Sequence, residues 1–329
     1  MSIALRKKNH IDICLSKDVR SKTTNGFEKF RLIHNALPEE DFTAFSTESI
    51  FLGKKISAPL LISSMTGGTE EGELINRCLA EAAAELNLPF AIGSQRIYIQ
   101  EKRNPRVPYR KIAPSIPILA NLGAVQLNYG FTRDDCLRAV EMIDADALIL
   151  HLNPLQELIQ QNGDTDFSGL MNKIAALCHD FPVPVIVKEV GWGINCRLAK
   201  ILTDIGVSMI DVAGAGGTSW SRVESIIGGN NSIQRIAEPF DDWGIPTAEC
   251  ISTIHEKYPE IEIIASGGIT NGVEAAKAIR LGAKLAGFAA RLLPAASSKN
   301  TEAVKEELSI IIMQYKIAQF LTTGIEKKE

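Results

Sequence analysis

The chain has 329 residues and a mass of 35.8 kDa, with 45% hydrophobic and 22% charged residues, values that exclude disorder, collagen and coiled coil as its main state. Lys plus Arg number 35 against 39 Asp plus Glu, giving net −4 and a pI near 5.9, which argues against a broad nucleic-acid surface but leaves room for a local basic patch that binds a small anion. Aromatic residues, at 6%, are too sparse for a single-strand stacking platform.

Residues 1–57 are mixed, polar and irregular, with one short strand candidate at Ile50–Leu52, and are read as an N-terminal extension. From residue 58 to 329 a rhythm sets in, in which short β-branched runs alternate with longer stretches of helical period. The strand candidates are Pro59–Ser64, Phe90–Ser94, Ile118–Leu122, Ala147–Leu152, Val185–Glu189, Met209–Val212, Ile261–Ala265 and Ala286–Ala290. Helix candidates between and after them are Glu71–Glu85, Arg133–Met142, Phe167–Cys178, Cys196–Leu202, Thr247–Lys257, Gly272–Leu281 and Thr301–Phe320. Eight apolar strands separated by helices over roughly 250 residues predict an α/β fold, a single (β/α)8 TIM barrel. An open doubly wound sheet would carry a G-x-G-x-x-G turn after its first strand. Here that strand runs into Ser63-Ser64-Met65-Thr66-Gly67-Gly68 instead. Residues 221–245 show no clear period and contain Gly228-Gly229-Asn230-Asn231, which predicts a mobile lid.

The six cysteines form no C-x-x-C pair and predict buried free thiols in a reducing compartment. The N-terminus lacks an apolar signal region, and no run approaches the ~20 apolar residues of a membrane span. A cytoplasmic protein with no membrane and no nucleic-acid partner is expected.

A barrel carries its chemistry at the C-terminal ends of its strands. Nearly every predicted strand delivers polar or glycine residues there: Ser64 to Gly68, Gly93-Ser94-Gln95-Arg96, Asn121, His151-Leu152-Asn153, Lys188-Glu189, Asp211 with Gly214 to Trp220, Ser266-Gly267-Gly268, and Ala289-Ala290-Arg291. The small residues at 267, 268, 289 and 290 let backbone amides approach an anion, and the helix starting near Asn271 adds its dipole. Lys188 follows Val185-Ile186-Val187, so its ammonium needs a partner. Glu189 points to the opposite face, which favours a ligand anion over a structural ion pair as that partner. A lysine in this place suits either a Schiff base or an anionic cofactor ring. Glu157 is a candidate Mg2+ ligand, or else a favourable charge in the first turn of a helix beginning at Pro154. Arg6-Lys7-Lys8-Asn9-His10 is either a solvated tail or a clamp on a diphosphate, and Arg96 suits the same task.

These residues together resemble the type 2 isopentenyl-diphosphate isomerases. The likeness runs from about residue 6 to residue 291 and is most specific around Gln156 and Glu157. The strand-five lysine and the phosphate glycines are shared with many FMN barrels. The resemblance implies an FMN-dependent barrel that interconverts isopentenyl and dimethylallyl diphosphate with reduced flavin and Mg2+ and no net redox change. It implies NADPH as reductant of the flavin and a homo-oligomer, tetramer or octamer. By resemblance Ser64, Met65, Thr66, Ser94, Asn121, Lys188 and Thr218 contact FMN, and Gly267, Gly268, Ala289 and Ala290 line its phosphate. Arg6, Lys7, His10, Ser94, Gln95, Arg96, Asn153 and Gln156 hold the substrate, and Glu157 the Mg2+. Gln156, Lys188 and His151 are the catalytic candidates. Some family members carry serine where this chain has Ala213. The rival readings are an FMN oxidoreductase acting on 2-hydroxy acids and a non-catalytic flavin- or phosphate-binding barrel. The former calls for a His base with a nearby Arg late in the barrel, where this sequence is glycine-rich.

Overall fold

A computed structural model describes residues 3–328, so the outermost residues of the two predicted segments, 1–57 and 58–329, lie outside the described residues. Eight parallel strands close into a barrel. In chain order they are β1 (Leu60–Ile62), β2 (Phe90–Ala91), β3 (Ile118–Gly123), β4 (Ala147–Leu152), β5 (Val185–Glu189), β6 (Met209–Asp211), β7 (Ile263–Ala265) and β8 (Leu285–Phe288). Each falls on one of the predicted strands.

The barrel interior is layered by the two-residue period of its strands. Leu61, Ala91, Leu119, Ile149, Ile186, Met209, Ile264 and Leu285 form one apolar interior cluster. Two residues onward along the strands stand Ser63, Asn121, His151, Lys188, Asp211, Ser266 and Gly287. Register makes neighbours of these: His151 pairs with Lys188 across β4 and β5, and Lys188 with Asp211 across β5 and β6. The fold thus lays a polar layer on an apolar floor. The far end of the barrel is plugged by the hairpin Ser49–Phe51 with Lys54–Ile56, whose Phe51 and Ile56 join the interior cluster.

Outside the barrel, helices pack through their apolar faces. The helices Thr247–Lys257 and Thr301–Phe320 have the predicted bounds, and the others differ by a few residues at their ends. Capping explains several starts: Thr69, Thr132, Asn195, Asn271 and Asn300 accept backbone N–H bonds at helix N-termini. No helix among the described residues is long and apolar enough to cross a membrane.

Two expectations are corrected. The start of the chain is not irregular: Ile3–Ser16 is a helix, α1, lying over the C-terminal rim of its own barrel. Its one fully buried residue is Ile11, so it has no apolar stripe to betray it. The region 221–245 is helical too, with helices Trp220–Gly228 and Asn231–Ala237 and a 3-10 turn at Glu238–Phe240. The first of these buries Ser221, Glu224 and Ser225 beside Val223, so polar residues stand where an apolar period is sought. A further ribbon pairs Phe30–His34 with Thr322–Lys327. All six cysteines are free; Cys78, Cys136 and Cys250 are buried and the other three half-buried. Burial pushes the thiols of Cys136 and Cys250 up to about 12, which leaves them unreactive.

Candidate active site

The polar layer holds two hydrogen-bonded groups. Asn121 Nδ2 donates to Ser64 Oγ at 2.8 Å, which orients the amide so that its Oδ1 meets His151 Nδ1 at 2.8 Å. Lys188 Nζ lies 2.9 Å from Asp211 Oδ2 and donates to Ser266 Oγ at 2.7 Å, and Ser266 Oγ donates to Asp211 Oδ1 at 2.5 Å. Lys188 thus has an ion-pair partner within the chain, the alternative weighed above against a ligand anion. Its charge is balanced by a carboxylate on the next strand, one register position across. Glu189 faces away, as the strand period demands, and its Oε2 accepts from the successive amides of Val190, Gly191, Trp192 and Gly193. That carboxylate shapes the loop after β5.

His151 is held neutral. Burial, then the charges of Lys7, Lys188 and Arg96, push its imidazole down to about 4. It serves near neutral pH as a hydrogen-bonding group, not as an imidazolium acid.

Above this layer α1 brings three predicted residues to the rim. Lys7 Nζ donates to Gly67 O at 2.6 Å and Ser94 O at 2.8 Å, so it latches the helix to the loops after β1 and β2. Burial, with Arg96 and Arg103 nearby, pushes this amine down to about 7. An amine whose hydrogen-bond partners among the described residues are two carbonyls, beside two guanidinium groups, marks a place made for an anion. Arg6 donates to Gln161 O at 3.3 Å. His10 Nε2 lies 2.8 Å from Glu224 Oε1, and its ring packs edge-on to Trp220 with centroids 5.1 Å apart.

The short helix Pro154–Ile159 after β4 carries the next group. Gln156 Nε2 donates to Glu224 Oε1 at 2.9 Å; Asn153 Nδ2 donates to Gln156 Oε1 at 3.2 Å and to Glu157 Oε1 at 2.9 Å. An unbroken line thus runs from His10 through Glu224, Gln156 and Asn153 to Glu157. Glu224 escaped the sequence reading, whereas Trp220 closed the rim stretch read after strand six; the one signal for Glu224 was an acid shortly after the glycine-rich stretch 214–217. Ser63, whose buried Oγ has no hydrogen-bond partner among the described residues, was missed as well.

The fit of a metal rests on Glu157. It is buried, its Oε2 accepts from Gln160 Nε2 and Asp164 N, and burial nevertheless pushes its carboxyl upward, with the Asp164 charge adding to the push. A divalent cation would relieve that. Among the described residues no group of three or more His, Cys, Asp or Glu could hold a metal ion. Glu157 therefore fits a cation that takes its remaining ligands from substrate and water, as Mg2+ does.

The fit of a flavin phosphate rests on the loops after β6 and β7, which interlock backbone to backbone. A Cβ on Gly267 would stand 2.2 Å from Gly214 O, and one on Gly268 2.4 Å from the carbonyl carbon of Gly216. The carbonyls of Gly267 and Gly268 are taken by Thr247 Oγ1 at 2.6 Å and Asn25 Nδ2 at 2.8 Å. Residues 19–21 strap the neighbouring loop, with Ser21 N donating to Gly217 O and Ser219 N to Val19 O. Met65, Thr66, Ser94 and Thr218 are half-buried on the same rim, Ala289 is half-buried and Ala290 exposed. Gln95 differs from the rest. Its side chain is wholly buried, donating to Ala139 O and accepting from Asn121 N, and its backbone N–H donates to Asn121 O while its carbonyl accepts from Ile99 N.

The family model described as FMN-dependent dehydrogenase matches residues 136–326. A protein of Nostoc sp. named isopentenyl-diphosphate delta-isomerase is 48% identical over 324 residues, covering 97% of this chain and 91% of that one. Proteins of the same name from Pseudescherichia vulneris and Rickettsia rickettsii are 48% and 46% identical, covering 96% of this chain and 92% and 93% of theirs. Among solved structures, a flavocytochrome b2 variant with sulfite bound superposes with a TM-score of 0.71 at 18% identity, covering 95% of this chain and 78% of that one. A mandelate oxidase variant with a monooxide FMN adduct superposes with a TM-score of 0.67 at 17% identity, covering 97% and 95%. At such identities the two structures speak for the barrel fold alone.

Proposed function

The chain belongs to the isopentenyl-diphosphate delta-isomerase family, and from that premise we propose that it interconverts isopentenyl and dimethylallyl diphosphate with reduced FMN and Mg2+ and no net redox change. The observation that carries the reading is Lys7. With carbonyl partners among the described residues, set beside Arg96 and on the same helix as His10, it would couple an anion site to the His10–Glu224–Gln156 line.

Moving a double bond by one carbon requires a proton added at one carbon and one removed at another. Arg6, Lys7 and Arg96 would hold the diphosphate, and Glu157 would hold the Mg2+ that shares its charge. Ser64, Met65, Thr66, Ser94, Asn121 and Thr218 would hold the flavin from the rim, and the 267–268 and 289–290 backbone its phosphate. Reduced FMN would supply the proton-transfer group that an unactivated alkene needs. Lys188, fixed by Asp211 and Ser266, would present a localised positive charge to the ring above it. Gln156 and Glu224 would pass or hold a proton at the prenyl end, with His10 fixing the carboxylate. His151 would keep Asn121 in place as a neutral donor. α1 and Trp220 would close the rim against water, which a carbocation-like transition state requires. Residues 1–57 would act as the clamp. NADPH as reductant, a cytoplasmic setting and assembly into a tetramer or octamer belong to the same proposal and rest on the resemblance.

The test is an anaerobic assay of the purified protein with FMN, Mg2+ and isopentenyl diphosphate, with and without reductant. Dimethylallyl diphosphate formed only with reductant, at less than one equivalent consumed per turnover, is the expected result. No product, with a yellow protein that consumes reductant in air, would instead assign an FMN oxidoreductase, the reading that the dehydrogenase family match favours.

A further inference from the structure

We propose that Asp164 is a built-in counter-ion of Arg96, a carboxylate that occupies the guanidinium in the substrate-free enzyme and gives way to the diphosphate. The proposal rests on the reading of the rim as a diphosphate site.

Arg96 NH1 donates to Asp164 Oδ2 at 2.6 Å, and Gln126 Nε2 donates to the same oxygen at 3.0 Å. The arrangement is incomplete on both sides. Arg96 Nε and Gln126 Oε1 are buried and have no hydrogen-bond partner among the described residues. A guanidinium can donate to several anionic oxygens at once. Asp164 takes Arg96 from its Nη1 side, and Nε, on the other edge of the group, is left for an incoming oxygen. A diphosphate has enough oxygens to meet both edges.

The segment that carries Asp164 is placed to respond to both charges of the substrate complex. Asp164 N donates to Glu157 Oε2 at 2.8 Å, so the same residue touches the anion site through its side chain and the cation site through its backbone. Gly163 lies flush on Glu157: a Cβ there would stand 2.0 Å from Glu157 O and 2.9 Å from its Oε2. Beyond it the chain is anchored again, with Asp166 N donating to Tyr129 OH and Asn128 Nδ2 donating to Asp166 O. Residues 163–165 thus form a short bridge between two fixed points. The pair is also shielded from water, the Arg96 and Asp164 side chains being 22% and 15% exposed, so exchanging one anion for another there has a measurable effect on affinity.

The experiment is a calorimetric titration of the FMN-loaded, Mg2+-free protein with inorganic diphosphate. Asp164→Asn keeps the shape and removes the competing charge, and it should bind diphosphate about fivefold tighter. The gain should vanish in an Arg96→Gln background, where the competition has no object. Unchanged or weaker binding by Asp164→Asn overturns the proposal, since it would make Asp164 an orienting partner that stays with Arg96 in the complex. A gain that persists without Arg96 overturns it too. The two readings fail separately: wild-type protein that isomerises substrate, with no gain in Asp164→Asn, removes only the counter-ion. Protein that binds diphosphate in the expected pattern but yields no dimethylallyl diphosphate removes only the reaction.

Discussion

Gln156 Nε2 donates to Glu224 Oε1 at 2.9 Å, and His10 Nε2 meets that same oxygen at 2.8 Å from the other side. The carboxylate is buried, so an amide and an imidazole from distant parts of the sequence solvate it in place of water. In the proposed reaction this carboxylate would serve as a proton-transfer group. Glu224→Gln keeps its size and one carbonyl acceptor but removes its basicity. It should lower kcat by about 10²- to 10⁴-fold while the flavin absorbance of the purified protein stays at the wild-type level. Turnover near wild type would remove Glu224 from the proton path.

Lys7 gives a prediction in pH. Its amine stands near 7 in the free protein, well below its ordinary 10.5, chiefly through burial and then through Arg96 and Arg103. At pH 8 it is therefore mostly neutral. A bound diphosphate favours the charged form and raises the value again, so binding must take up a proton. Titrations with diphosphate at pH 8 in buffers of different ionisation enthalpy should show uptake of roughly one proton. The uptake should fade below pH 7, where the free amine is already charged. Lys7→Arg should abolish it, because the guanidinium never loses its charge. Buffer-independent heats at pH 8 would contradict this.

The barrel was legible in the sequence because its signal is repeated: eight apolar runs, each bounded by polar or glycine residues, leave little room for another fold. The rim was legible for the same reason, since each strand end names its own candidate. What escaped was whatever buries a polar face. The helix Ile3–Ser16 brings Lys7 and His10 to the site and has little apolar period, while Trp220–Gly228 carries Trp220, Val223, Ile226 and Ile227 at helical spacing but buries Ser221, Glu224 and Ser225 among them. Pairings across strands also escaped. Lys188 and Asp211 are adjacent in register but 23 positions apart in the chain, so no local pattern joins them. Gln95 misled in the opposite sense: it stands between Ser94 and Arg96, yet its side chain turns inward to Ala139.

That register pair carries the third prediction. The Lys188 and Asp211 side chains are 9% and 1% exposed, so removing either charge strands the other away from water. Asp211→Asn leaves a buried ammonium facing an amide and the Ser266 hydroxyl. Breaking one side of a buried pair costs about 3–5 kcal/mol, which a urea titration of the flavin-free protein should show as a lower midpoint. Adding Lys188→Met to Asp211→Asn removes the stranded charge and should recover most of the loss. A double variant no more stable than the single would mean that the charges themselves are not what the fold requires.

The last prediction separates backbone strain from the cofactor cradle. Gly268 has φ +72°, and a Cβ there would lie 2.4 Å from the Gly216 carbonyl carbon, 2.5 Å from its oxygen and 2.8 Å from Gly217 N. These are backbone atoms and cannot rotate away, so Gly268→Ala must part the loops after β6 and β7. Gly53, in the hairpin that plugs the other end of the barrel, has nearly the same conformation, φ +74°, with nothing within 4 Å of its would-be Cβ. Gly53→Ala meets the conformational cost alone, about 1–2 kcal/mol. Gly268→Ala should therefore lose more stability than Gly53→Ala, and it alone should lose FMN affinity, by about tenfold or more, measured by fluorescence quenching on titration of flavin-free protein. Equal FMN affinity in the two variants would show that the interlocked glycines serve the fold and not the cofactor.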